Sequence, residues 1–292
     1  MKRICILGCK QKVNLPEASK IEAQEIFEED RLLQEAFRKR GIVADTIPWD
    51  ADGIDWKDYD AGLIHTTWDY YVRCEQFLSK IDELGDLFPI WNPPKLVRWN
   101  ADKRYLLELE AQGVTIIPTE LIPDITLEDP SLMAAKKGWS QFVVKPVIGG
   151  GALATYRFPE DAAKKEQLAN AHCKAFLLQP FVPSIITEGE WSFVFFWGKF
   201  QYAAKKTPKA QDYRVQSMYG AITQITSANP QDIEIARRVL GRLESPPLYA
   251  RIDMVRNDSG NLMLMELELI EPYLYFTETG TGATSLVNAL LN

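Results

Sequence analysis

The sequence predicts an α/β domain followed by an α+β domain. Residues 1–97 alternate short apolar runs with amphipathic stretches at helical spacing, as strands joined by crossover helices do. Beyond residue 98, apolar runs come in pairs separated by short turns, as antiparallel hairpins do. Between the two lies Asn92-Pro93-Pro94-Lys95, which interrupts both kinds of element. A chain of 292 residues suits about two domains, here 1–97 and 98–292.

In the first domain RICIL (3–7) is a buried strand ending at Gly8. EEDRLLQEAFRKRG (28–41) is a helix, because Leu32, Leu33, Ala36 and Phe37 share a face, acids lead, basic residues close and Gly41 offers a C-cap. IVADTIP (42–48) and DAGLIHTTW (60–68) are the second and third strands. EQFLSKIDELG (75–85) is a helix stopped by Gly85, and PIWNPP (89–94) a strand ended by proline. The layout is Rossmann-like, yet LGCKQK (7–12) is no G-x-G-x-x-G dinucleotide fingerprint.

The second domain opens with VRWNADKRYLLELEAQG (97–113), expected as one helix capped by Asn100 or Asp102 and ended near Gly113. FVVKP (142–146), a glycine-rich turn, a helix near 160–171 and the strand AFLLQPFVP (175–183) follow. Two hairpins come next, one expected to turn at Gly198-Lys199, the other at Asp258–Asn261.

A net charge of −7 and a pI near 5.1 argue against nucleic acid as the main partner. No apolar stretch approaches the roughly 18 residues of a membrane span, and the N-terminal run is too short for a signal peptide. Cys5, Cys9, Cys74 and Cys173 lack framework spacing, so reduced thiols and a cytoplasmic setting are expected. His65 and His172 stand too far apart to suggest zinc, and read as one packed and one exposed imidazole.

The chemistry concentrates in RIDMVRNDSGNLMLMELELIEP (251–272). With Asn257 paired to Leu262, Asp253 stands opposite Glu266, and Glu268 lies beside Glu266 on the same face. Like charges so placed destabilise a sheet. A hard divalent cation, Mg2+ or Mn2+, reverses that, and a solvent-facing strand with alternating acids explains the same pattern. On the crowding alone, Asp253→Asn and Glu266→Gln are expected to relieve repulsion and leave the fold intact.

Mg2+ on a few carboxylates commonly serves a nucleotide. Lys145 ends a hydrophobic strand before Gly149, Gly150 and Gly151, whose backbone N–H groups can turn toward phosphate. Lys103 is a second phosphate candidate, the LLQPFVP segment offers backbone to an adenine edge, and Glu190 offers a carboxylate to ribose. Each also has an ordinary reading as a turn, surface or hairpin residue.

Taken in order, NADK, VVKPVIGGG, LLQPFVP, GEWSF, KKTP, DYRVQ, ARIDM and LMELELIEP resemble the ATP-grasp superfamily over about residues 98–275. The glutathione-synthetase-like branch is the nearest, and TTWDY and VRWNADKRYL are similar to the group containing the D-cycloserine cyclase. The resemblance implies a pre-ATP-grasp domain followed by an ATP-grasp domain with a mobile lid over 118–182. It implies Lys103 and Lys145 on ATP phosphates, Gly149, Gly150 and Gly151 in the lid, Gln179, Pro180, Phe181 and Val182 as adenine hinge, and Glu190 on ribose. Asp253, Glu266 and Glu268 would hold two Mg2+ ions, though glutathione synthetases carry Asn where Glu268 stands. Arg214 and Lys206 would face the transferred phosphoryl group, with Lys205 one step away.

The implied reaction activates a substrate carboxylate as an acyl phosphate for attack by an amine, between two molecules or within one. An ATP-grasp kinase and a non-catalytic ATP-binding module are the alternatives. Thr66, Thr67, Trp68 and Asp69 end the third strand, where open α/β sheets bind ligands. They are expected to meet a small amino-acid-like substrate, with Tyr70, Arg73, Glu271 and Tyr273 nearby and the oligomeric state left open.

Overall fold

The computed structural model describes residues 1–10, 17–162, 165–170, 173–210, 212–215 and 219–291. His172 lies outside them. The first unit comprises β1 (Arg3–Gly8), α1 (Glu17–Lys39), β2 (Val43–Pro48), β3 (Ala61–Thr66), α2 (Cys74–Leu87) and β4 (Ile90–Trp91). Its strands are parallel, in the order β2-β1-β3-β4. Successive side chains of β1 face opposite ways. Ile4 and Ile6 meet Leu33 and Phe37 of α1, while Cys5 and Leu7 meet Phe77, Leu78 and Ile81 of α2. Gly85 does not stop α2. A Cβ there would lie 2.6 Å from Pro94 Cγ, so the glycine allows the following helix to approach.

That helix is α3 (Pro94–Asn100), and a separate α4 (Tyr105–Ala111) follows it, where the sequence suggested one. The break has a physical cause. The buried Asn100 side chain is no cap; it donates to Leu267 O at 2.8 Å and accepts from Leu269 N at 2.9 Å.

Next come β5 (Glu120–Ile122), α5 (Pro130–Lys136), β6 (Phe142–Pro146), β7 (Tyr156–Phe158), α6 (Lys165–Ala169) and β8 (Phe176–Pro180). They form an antiparallel sheet ordered β5-β8-β6-β7 over a core of Ile122, Phe142, Val144, Phe176 and Leu178. The last unit holds α7 (Ser184–Thr187), β9 (Glu190–Phe196), β10 (Lys199–Thr207), β11 (Ile222–Thr226), α8 (Pro230–Leu240), β12 (Tyr249–Arg256), β13 (Leu262–Glu268), α9 (Phe276–Thr279) and α10 (Gly282–Leu291). Its sheet is antiparallel, ordered β11-β10-β9-β12-β13.

Both hairpins differ in detail from expectation. The β9–β10 turn is Trp197-Gly198, with φ of +47° and +69°, and Lys199 already pairs with Phe196. Two positive φ values match the right-handed strand twist. In the β12–β13 hairpin Arg256 pairs with Leu262, one step off the expected register. A bulge between Asp253 and Met254, where Met265 is the extra residue, restores Asp253 opposite Glu266. Among the described residues no helix is long and apolar enough to cross a membrane.

Candidate active site

A cleft of about 780 Å3 opens between the β6–β8 sheet and the β9–β13 sheet. Its lining includes Lys103, Lys145, Gly149, Gly150, Gly151, Gln179, Pro180, Phe181, Val182, Glu190, Lys206 and Arg214. Asp253, Glu266, Glu268, Glu271, Trp68, Tyr70 and Tyr273 line it too.

Each acid already has a cationic neighbour. Asp253, buried on β12, accepts from Ser192 Oγ at 2.5 Å and from Arg251 Nη2 at 2.9 Å, and Lys206 Nζ is 3.6 Å away. Burial pushes its carboxyl up, but Arg251 and then Lys206 outweigh that and leave it low. Glu266 faces Lys103 Nζ at 2.9 Å, and Glu268 is bonded to Arg251 Nη2. Burial raises Glu268 to about 8 against the pull of Arg251, with the Asp253 and Glu266 charges adding to the rise. Glu190 is ion-paired with Lys206, and burial still lifts it to about 7.

This pairing corrects two expectations. Among the described residues no three carboxylate, Cys or His side chains are gathered into a ready metal cage. The acids still repel one another, but Arg251 and Lys206 outweigh this at Asp253 and Lys103 and Lys145 at Glu266, so Asp253→Asn would remove a charge these cations hold rather than only relieve crowding. The donor set still fits a hard cation. Asp253 and Glu266 pair directly across the hairpin, and Glu268 is the next residue along on the same face.

Lys103 and Lys145, which also line the cleft, come from separate elements. Lys103, in the turn between α3 and α4, donates to Gly149 O at 2.6 Å. Lys145 on β6 reaches Met265 O at 3.4 Å, and burial lowers it to about 8. The glycine loop crosses the cleft mouth: a Cβ on Gly150 would lie 3.2 Å from the Tyr71 ring and 3.5 Å from Glu271 Oε1. Gly151 has φ of +56°, which glycine adopts freely. Lys206 points into the cleft, whereas Lys205 lies over the Trp191 ring at 5.2 Å. That alternation along β10 separates the adjacent lysines. Arg214 is held by Asp212 at 2.8 Å and sits over the Tyr219 ring at 3.6 Å.

At the end of β8, Gln179 Nε2 donates to Thr119 Oγ1 at 2.8 Å. Phe181 N donates to Gln141 O at 2.9 Å, so that N–H is engaged within the protein.

Thr66, Thr67, Asp69 and Arg73 do not line the cleft. Thr66 Oγ1 donates to Asp30 Oδ2 at 2.8 Å toward α1, and Thr67 is fully buried. Asp69 accepts from Trp49 Nε1 at 2.8 Å and Arg73 Nη2 at 3.3 Å. Arg73 also meets Asp50 at 2.8 Å. Trp49, Asp50, Asp69 and Arg73 thus bond to one another outside the cleft lining, while Thr67 Oγ1 is buried without a hydrogen-bond partner. Trp68, Tyr70, Glu271 and Tyr273 do line the cleft.

Sequence reasoning missed Arg251, Ser192 and Tyr275. Arg251 had a readable signal: it lies two residues before Asp253, hence on the same strand face. Ser192 and Tyr275 had none, because their contacts are long-range.

Residues 4–92 match the family described as "D-cycloserine synthetase DcsG, N-terminal domain". The chain is 30% identical over 272 residues to the cycloserine biosynthesis protein DcsG of Streptomyces lavendulae, covering 88% of this chain and 91% of that protein. Its fold is similar to the crystal structure of D-cycloserine synthetase DcsG, with a TM-score of 0.82, 28% identity, and coverage of 99% and 98%. It shares its fold also with D-alanine–D-alanine ligase from Bacillus anthracis complexed with ATP, with a TM-score of 0.72, 16% identity, and coverage of 100% and 96%. The fold, the charged cleft and the likeness over nearly the whole chain agree: it belongs to the D-cycloserine synthetase DcsG family and is an ATP-dependent ATP-grasp ligase.

Proposed function

We propose that the cleft binds Mg-ATP and an amino-acid-derived acid whose attacking nitrogen belongs to the same molecule, so that ligation closes a ring. The observation that carries this is the balanced set of acids and cations around one cleft in a chain similar to DcsG.

In this reading residues 1–97 are the pre-ATP-grasp domain, 98–292 the ATP-grasp domain, and 118–182 the lid. Gln179, Pro180, Phe181 and Val182 bound the adenine end, and Glu190 serves ribose once freed from Lys206. Lys103, Lys145 and the glycine loop hold phosphates. Asp253, Glu266 and Glu268 would hold two Mg2+ ions, which when bound screen phosphate charge.

The chain's own part is positioning and neutralisation. Arg251, Lys206 and Arg214 offset the negative charge that grows as the substrate carboxylate takes the phosphoryl group. Trp68, Tyr70 and Tyr273 shield the resulting acyl phosphate from water. Glu271, which lines the cleft and which burial raises to about 7, would accept the proton of the attacking nitrogen.

The test is ADP release with Mg-ATP across amino acids, small peptides, and ureido and aminooxy amino acids. The expected result is release that needs one compound alone and yields a product without phosphate by mass spectrometry. A stable phosphorylated product would make the protein a kinase. ATP binding with no ADP from any compound would overturn the ligase assignment.

A further inference from the structure

A second charged cluster lies behind the cleft, where the first domain meets the segment that follows β13. Glu29 and Asp30 on α1, and His65 and Thr66 on β3, are all buried. His65 Nδ1 is 2.9 Å from Asp30 Oδ1, and its Nε2 is 3.5 Å from Glu29 Oε2. The ring stacks on Phe276 at 5.7 Å. Glu29 accepts from the backbone N–H of Leu274 at 3.0 Å and of Phe276 at 2.9 Å. These amides flank Tyr275, whose φ is +56° and ψ +37°. A tyrosine seldom adopts that left-handed conformation unless its surroundings impose it. A buried carboxylate is likewise costly unless it gains strong acceptor bonds. Each feature accounts for the other.

The turn has a direct line to the cleft. Tyr275 lines it, and its hydroxyl donates to Ser192 Oγ at 3.0 Å. Ser192 Oγ donates in turn to Asp253 Oδ1 at 2.5 Å. On the other side, Tyr202 OH donates to Leu274 O at 2.6 Å and fixes the start of the turn.

We propose that Glu29, braced by His65 and Asp30, is a positioning residue for Asp253, acting through the left-handed turn at Tyr275 and the hydroxyl of Ser192. The first domain thereby sets the aim of a carboxylate about 220 residues away in sequence. Electrostatics supports a braced cluster. Burial pulls His65 down, but the hydrogen bond and charge of Asp30, with the charge of Glu29, more than offset it and leave the ring raised.

The inference rests on Asp253 as a metal ligand in the proposed cleft. The test therefore uses Mn2+ binding in the presence of ADP, followed by the electron paramagnetic resonance signal of free Mn2+, alongside kcat and KM for ATP. Glu29→Gln should weaken Mn2+ binding about tenfold and lower kcat similarly, with KM for ATP changed less than threefold. Tyr275→Phe should do the same. The double variant should match Tyr275→Phe alone, because both changes break one chain of contacts. Should Glu29→Gln fail to fold, Glu29→Asp, which keeps the charge with a shorter reach, carries the same comparison with an intermediate loss. Wild-type Mn2+ affinity in a folded Glu29 variant, or losses that multiply in the double, would overturn the proposal. Absence of turnover in the unmodified protein would count against the ligase reading and leave the Mn2+ comparison intact.

Discussion

Glu268 and Asp253 share a cleft and one arginine, yet opposite protonation tendencies result. Asp253 is held low by Arg251, Lys206 and a serine hydroxyl, whereas burial leaves Glu268 at about 8. Glutamine at this position keeps the length and one oxygen donor of Glu268 and removes a charge that opposes Asp253 and Glu266. Glu268→Gln is expected to keep Mg2+-dependent turnover within about tenfold, while Asp253→Asn and Glu266→Gln lose it by more than about a hundredfold. Asp253→Asn should also cost about 2 kcal/mol, since Arg251 and Lys206 each lose one of two carboxylate partners and keep only Glu268 and Glu190. Kinetics and urea unfolding of the three variants check both statements; equal losses across the set would refute the ranking. The thiols give a second residue-scale expectation. Burial pushes Cys5 and Cys9 up to about 12 and Cys74 up to about 11, and raises Cys173 less. With thiolate so scarce at pH 8, a thiol reagent should modify the folded chain slowly, Cys173 first, and all four cysteines only after unfolding.

Among the elements, the β12–β13 hairpin shows how a site can be legible for an incomplete reason. Asp253 does stand opposite Glu266, but through a shifted turn and a compensating bulge at Met265. The alternation of LMELELIEP could be read; the bulge could not, since it is set by packing on both faces of β13. The start of β9 gives a sharper test. Gly189 has φ of +102°, and a Cβ there would lie 2.5 Å from Lys206 O. Gly189→Ala must therefore push β10 away just where Lys206 meets Glu190. A stability loss of at least about 2 kcal/mol is expected, with a fall in kcat, read by thermal unfolding and kinetics. An unchanged melting temperature would show that the two strands separate more easily than this packing implies.

For the whole molecule, a few buried polar groups join β4 and β3 to the β12–β13 region, beside an apolar cluster shared by both halves of the chain. Asn92 donates to Tyr249 O at 3.0 Å and Leu269 O at 2.8 Å, and accepts from Leu248 N at 2.8 Å. Tyr249 OH donates to Ile64 O at 2.6 Å. Asn92→Ala would leave three buried backbone groups without these bonds. A loss of about 3 kcal/mol is expected, visible as a lower urea midpoint; a change under about 1 kcal/mol would mean that apolar packing alone holds the domains. Sequence reading marked this stretch as a break because of its prolines, and its asparagine turns out to be a fastener.

The sequence by itself determined the alternation of strands and helices, the antiparallel second half, and a set of lysines, glycines and acids that line one cleft. Those features depend on side-chain periodicity and turn chemistry, which act within a few residues. Tertiary structure decided the rest. It turned Thr66 toward α1, brought Lys206 of β10 to Asp253 and Lys103 to Glu266, and placed Glu29 against a turn 245 residues away. Charge pairing and desolvation depend on neighbours in space, so no local pattern records them.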